Sequence, residues 1–343
     1  MAAMAIMVAS FRQSVDDWLA TVLPAELYFR TTQAGDTGFL EPAFVDRVRS
    51  LPGIARVDFL RSGRVILDPA RPPLVLIARD RAALAFPLVE KLPAVPAHSI
   101  WVSEAVKDIY GFAPGMSVEL PLLGKSHPFT IAGVFRDYAR QHGAILIDRK
   151  DYAALTGDQR VNDGALWLAP GTTPAAMMGA LRALPGGEQL DMADSGEIRS
   201  LSLRIFDRSF AVTYAMEAVA VLVGLFGLSS SLGAMVLARR REFGMLRHLG
   251  LTRGQIRRML AAEGALLAAL GAAAGLVCGT AISLVLVYVV NRQSFNWSIE
   301  LHPPLALLAS LVAILVALAI ATAIVSGREA MGIGPVRAVR EDW

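Results

Sequence analysis

Three long apolar runs near the C-terminus limit what this chain can fold into. They cover about 211–237, 261–290 and 305–325, each 20 residues or more. At about 1.5 Å per helical residue, each reaches across a hydrocarbon core of about 30 Å. The second is long for a single span, so tilt or projection beyond the bilayer is expected. Residues 12–208 lack such runs and read as a water-facing domain large enough to hold its own core. This division explains a whole-chain hydrophobic content of 54% and a mean hydropathy of +0.48, between the soluble and wholly membrane-buried classes.

Charge placement orients the spans. The net charge is only +3, but arginines crowd 239–258 and recur in 328–340. Both clusters flank apolar runs, so they read as topogenic charge, not as a nucleic-acid surface. The loop 238–260 and the tail 326–343 are therefore expected in the cytoplasm. The short loop Asn291–Pro304, with Phe295 and Trp297 as interfacial aromatics, is expected outside, and parity places 12–208 outside with it. The apolar start "MAAMAIMVASF" is about half a bilayer long and meets Arg12. It reads as the outer half (1–11) of a transmembrane helix that begins upstream, as in the later part of a longer protein. The expected fold class is an integral membrane α-helical protein with about four transmembrane helices, the first incomplete, and one α+β extracytoplasmic domain on a helical stalk.

Within 12–208, "RVDFLRSGRVILD" and "PPLVLIARD" alternate as strands, and "VELPLLGKSHPFTIAGVFRDY" reads as a β-hairpin turning at Gly124–Ser126. "PAFVDRVRSLPG" and "TPAAMMGALRALPGG" are short amphipathic helices, each succeeded by a strand, which suggests an internal β-α-β repeat. From Ser195 to Leu237 no proline interrupts a helix-compatible pattern, so one long stalk helix is expected.

Catalytic patterns are sparse. "GKS" at Gly124–Ser126 lacks the P-loop glycine, since Glu119 stands five residues before Gly124, and strands flank it where a helix is needed. The chain is thus expected to carry no ATPase of its own. Five scattered histidines show no metal spacing, and His142 reads as a turn residue. The single cysteine, Cys278, admits no intramolecular disulfide. No metal site, cofactor or catalytic constellation is expected. Glu217, near the outer end of the first run, reads as an interfacial residue, and Glu263 as the partner of Arg257 or Arg258. Gly271, Gly275 and Gly279 recur every four residues, a face on which another helix can approach closely.

The segment "RRREFGMLRHLGLTRGQIRRMLAAEG" alternates apolar and basic positions at helical spacing. It breaks at Gly250, and Thr252 is suited to cap a second helix. A helical hairpin at the inner membrane surface results, suited to anionic lipid or to a groove on a cytoplasmic protein. This segment and the Gly-rich run after it resemble the FtsX-like permease domain of MacB/LolC-type ABC transporters. "GPVRAVRED" is similar to that family's closing segment. "WVSEAVKDIYGFAPGMSVELPLLGKSHPFTIAGVFRDY" resembles its outer core domain.

The resemblance implies a coupling role for Arg241, Glu242, Gly244, Leu249, Gly250, Leu251 and Thr252, which would receive motion from a separate cytoplasmic ATPase. ATP and Mg would be bound by that partner. It also implies pairing with a second permease copy or a homologous permease, in the bacterial inner membrane. The cargo would be a lipid, lipoprotein, peptide or toxin handled outside, where an extracytoplasmic partner protein could also engage. Two other readings remain open: a non-transporting regulator of an extracytoplasmic enzyme, as in the cell-division branch, and an anchored outer module without an ATPase.

Overall fold

The computed structural model describes residues 1–32, 38–80 and 86–332, with side chains to Glu329. The closing segment "GPVRAVRED" and most of the expected tail lie outside the described residues. The chain divides into two compact units. One comprises 12–207 with 288–299, and the other comprises 1–11, 208–287 and 300 onward.

The first unit is α+β. Helix α1 (Ala2–Val22) contributes its later turns. Then come β1 (Leu27–Thr31), α2 (Pro42–Arg49), β2 (Ile54–Val65), β3 (Leu74–Arg79), β4 (Leu88–Lys91) and β5 (Ser99–Ser103). After them stand α3 (Glu104–Tyr110), β6 (Ser117–Leu122), β7 (Lys125–Phe135), β8 (Ala144–Asp148) and α4 (Arg149–Thr156). The unit continues through β9 (Asp163–Leu168), α5 (Pro174–Arg182), β10 (Leu190–Asp194) and α6 (Ser195–Ser209).

The strands form one sheet in the order β10-β1-β9-β2-β3-β8-β5-β7-β4, with β6 on β7. Its first four strands are antiparallel neighbours. They realise the expected repeat in interleaved form: β1-α2-β2 and β9-α5-β10 mesh as a split β-α-β pair. Leu27, Phe29, Phe44, Val48, Leu166 and Leu181 fill the core between these helices and the sheet. Gly164 makes room for the Phe29 ring, because a Cβ there would lie 2.2 Å from Phe29 Cζ.

Strands β3 to β8 are an insertion between the two halves of that motif. Long β2 joins them, pairing with β9 over its first part and with β3 over its last. Ile100, Phe129, Ile131 and Ile145 centre a separate core. The β6–β7 turn falls at Leu123–Gly124, one residue before the expected place. Both residues have positive φ, +47° and +80°, as a two-residue primed turn requires.

The second unit is helical: α7 (Ala211–Ala238), α8 (Arg240–His248), α9 (Arg253–Val285) and α11 (Leu305–Gly332). Between α9 and α11 lie a π-helical turn, Leu286–Val290, and α10 (Asn291–Phe295). Three helices among the described residues are long and apolar enough to cross a membrane: 211–238, 253–295 and 305–329. The N-terminal helix is not among them. It does not end at Phe11 as expected but runs to Val22 through Arg12, Asp16 and Asp17. The expected single stalk helix is two helices, because Phe210 leaves helical geometry at φ −91°, ψ 1° in the bridge region.

Helix α11 packs against both α7 and α9 through small residues. A Cβ at Gly264 would lie 3.2 Å from the Ala319 carbonyl and from Ala323 Cβ. Ser229 and Thr322 hydroxyls meet at 3.0 Å. Helices in lipid associate by such close approach, without hydrophobic gain between them.

Candidate functional site

The hairpin forms where expected, and its turn is specified locally. Helix α8 ends in a Schellman motif: Leu251 N–H donates to the Leu246 carbonyl at 3.1 Å and Gly250 N–H to that of Arg247 at 3.1 Å. Gly250 takes φ +94°, the left-handed conformation this motif needs. Thr252 then caps α9. Its Oγ1 accepts from Gln255 N–H at 3.3 Å, and Gln255 Oε1 accepts from Thr252 N–H at 2.8 Å, a complete capping box.

Phe243, Ile256 and Leu260 are buried with Val236 and Ala323, and Leu246 and Leu251 pack on them. This core fixes the hairpin against its neighbouring helices. The tip is different: Leu249 is 78% exposed, and Gly250 and Thr252 are exposed beside it. Arg241 and Glu242 lie exposed in the first turn of α8, and Gly244 is half-buried. At this N-terminus Glu242 complements the helix dipole.

Glu263 does not pair with Arg257 or Arg258. It accepts from Arg239 at 2.7 Å, and Glu242 accepts from the same guanidinium at 2.9 Å. The Glu242 hydrogen bond and the Glu263 charge hold Arg239 above its usual pKa. One arginine thereby ties the end of α7 to both arms of the hairpin.

The glycine face is used only at one end. A Cβ at Gly279 would lie 2.7 Å from Ala2 Cβ, whereas among the described residues one at Gly271 or Gly275 would have nothing within 4 Å. Helical rotation puts 264, 268, 271 and 275 on one face. The close partner α11 meets that face at Gly264 and Ala268, so distance along the helix separates used from unused positions. Glu217 is half-buried, and its Oε1 has no hydrogen-bond partner among the described residues.

A second cluster has no counterpart among the sequence expectations. Residues 288–299 pack as part of the α+β unit, although the helices on either side in sequence belong to the other unit. Ser298 donates to Glu104 through N–H at 3.1 Å and through Oγ at 2.6 Å. Arg136 donates to Ser298 Oγ at 3.1 Å, and Tyr138 OH to the Ser298 carbonyl at 2.8 Å. Arg292 grips Asp108 with two hydrogen bonds of 3.1 and 3.0 Å. Trp297, expected at a membrane interface, is instead buried, edge-on to Tyr138 at 5.5 Å. No local pattern could reveal this strap, because Glu104 and Ser298 stand 194 positions apart.

Parts of this chain are similar to known proteins. Residues 214–335 match the family described as FtsX-like permease C-terminal. An uncharacterized ABC transporter permease protein of Mycobacterium tuberculosis is 28% identical, over 88% of this chain and 37% of that protein. The chain thus spans little more than a third of that relative's length. Among solved structures, the periplasmic region of MacB from Actinobacillus actinomycetemcomitans is similar with a TM-score of 0.37 and 12% identity. The match covers 52% of this chain and 92% of that one. The extracellular domain of the noncanonic ABC-type transporter YknZ from Gram-positive bacteria gives 0.35 and 10%, covering 49% and 98%.

Proposed function

We propose that this chain, whose residues 214–335 are of the FtsX-like permease type, works as a permease component of an ABC transporter. It would be driven by a separate cytoplasmic ATPase that holds ATP and Mg. The observation that carries the reading is the hairpin: a rigidly capped turn that buries its own apolar ridge yet leaves Leu249 bare at the tip. An exposed apolar point on a stiff support suits docking into a groove of a moving partner.

In this reading ATP-driven closure pushes on Leu249–Thr252. The Arg239 bridge passes the displacement to α7 and α9, and α11 moves with them through its small-residue contacts. The covalent path to the 12–207 unit then runs through Phe210 and through the 288–299 strap. The unit would act on a hydrophobic cargo outside the bacterial inner membrane, in partnership with a second permease copy or a homologous permease.

The test is purification of the tagged chain from its native membrane in mild detergent, beside a variant with Gly250→Asp and Leu251→Asp. The expected outcome is a P-loop ATPase that accompanies the native chain and is lost from the variant. Retention of the ATPase by the variant removes the coupling role from the hairpin.

A further inference from the structure

A cleft of about 690 Å³ opens within the α+β unit, in the size range of sites for drug-sized ligands, about 300–1,000 Å³. The later turns of α1 and one face of α6 build one wall. The sheet face of β1, β2, β3, β9 and β10 builds the other. Its two halves differ chemically. Trp18, Phe86, Leu201 and Ile205 make one side apolar, and Leu201 and Ile205 remain exposed.

The sheet side is ionic, and its arginines are committed. Arg30 places Nε and Nη2 on Asp191 at 3.0 and 2.8 Å. Arg79 pairs with buried Asp58, and Arg140 with Asp137 at 2.8 Å. Among the described residues, two carboxylates of the cleft lack such a partner: Glu197, exposed on the α6 wall, and Asp163 on the sheet side, where the arginines stand. Asp163 lies on β9 between Arg30 of β1 and Leu60 of β2, and it lines the cleft. Among the described residues no hydrogen bond or ion pair reaches its oxygens. Burial holds its carboxyl above the ordinary range, against the opposing charges of Arg30, Arg140 and Arg61. Asp163 is half-buried; a charge partly withdrawn from water gains from a partner of opposite sign, and a cation entering the cleft would supply one. An anion would instead have to displace a carboxylate from an arginine.

We propose that this cleft binds an amphipathic organic cation, its apolar body against Trp18, Phe86, Leu201 and Ile205 and its protonated amine on the Asp163 carboxylate. The site is independent of the coupling role proposed above, and it is tested without ATP or any partner. The full chain, reconstituted in lipid nanodiscs, is titrated with rhodamine 6G and, separately, with fluorescein, an anionic dye of similar ring size. Fluorescence anisotropy is read against empty nanodiscs.

Saturable rhodamine binding above the empty-disc background is expected, with fluorescein at least tenfold weaker. Asp163→Asn should weaken rhodamine binding at least tenfold while leaving the thermal midpoint unchanged or raised, since it removes a half-buried charge that no cation pairs among the described residues. Leu201→Ser, at an exposed position that does not endanger the fold, should weaken binding several-fold. Absence of saturable binding, equal affinity for fluorescein, or unchanged rhodamine affinity in folded Asp163→Asn or Leu201→Ser would each overturn the proposal.

Discussion

Asp158 shows how a single side chain can set a local dependence on pH. Its carboxylate is only 6% exposed and takes Arg61 at 3.4 Å and Arg160 at 2.8 Å. Burial alone would raise its pKa. The hydrogen bonds from the Arg160 side chain and backbone, with the charges of Arg160 and Arg61, outweigh burial and hold it below the usual range. A carboxyl whose folded pKa is depressed contributes stability above its unfolded pKa, about 3.9. That contribution is lost as pH falls through the lower folded value. Thermal midpoints measured from pH 6 downward should therefore fall more steeply for the native chain than for Asp158→Asn. Parallel curves would show that these arginines do not stabilise the charged form. Nothing in the sequence around Asp158 announces this role, because Arg61 comes from β2, 97 positions away. Asp163 is equally silent: a lone carboxylate in a strand has meaning only once the neighbouring arginines are seen to be engaged elsewhere.

Elements are legible in the sequence where their determinants are local. The α8–α9 hairpin can be placed from the residues themselves, since glycine at the left-handed position and threonine at the cap act within one turn of chain. A Cβ at Gly250 meets nothing within 4 Å among the described residues, so Gly250→Ala should cost only the left-handed backbone strain, about 1–2 kcal/mol. Thr252→Ala should cost about 1 kcal/mol through the lost cap. Hydrogen exchange over 244–258 would read both as faster local opening, and unchanged protection would mean that the buried ridge alone holds the turn. The glycine face at Gly271, Gly275 and Gly279 is less legible. Spacing reports which positions share a helix face, but not where along the axis a second helix arrives. The same reason explains Glu263, whose partner Arg239 sits at the end of another helix and not on its own. The break at Phe210 has no local signal, neither proline nor glycine; a residue of ordinary helical tolerance carries it.

At the scale of the whole molecule, the strap is the feature that ties distant sequence together. Glu104 is nearly buried and takes both donors from Ser298. Ser298→Ala removes the hydroxyl and should destabilise the full chain by about 1–3 kcal/mol, the cost of leaving a buried acceptor short of a partner. Ser298→Thr, which keeps the hydroxyl, should restore most of it. Limited proteolysis within 291–304 should show the same order, faster for alanine and near native for threonine. Equal cleavage of all three would mean that the contacts all three share, the Arg292–Asp108 grip and the backbone bonds of Ser298, hold the segment without the hydroxyl. Among the described residues, ten strands assemble on comparable long-range terms: the insertion of β3 to β8 inside a split β-α-β motif depends on pairings that strand alternation does not encode.

The sequence by itself determined the periodic and local features. Apolar length placed the three membrane-capable helices, and glycine and cap chemistry placed the hairpin turn. Helix-strand alternation also foreshadowed the repeated β-α-β halves. Each is written within a few turns of chain, so composition and spacing suffice to read it. Only the tertiary structure decided that Asp163 has no cation among the described residues, which glycine meets a neighbouring helix, and which loop belongs with which unit. Those outcomes depend on distances between residues far apart in sequence, and a buried charge or hydrogen bond acquires its energy only from the partners that folding brings to it.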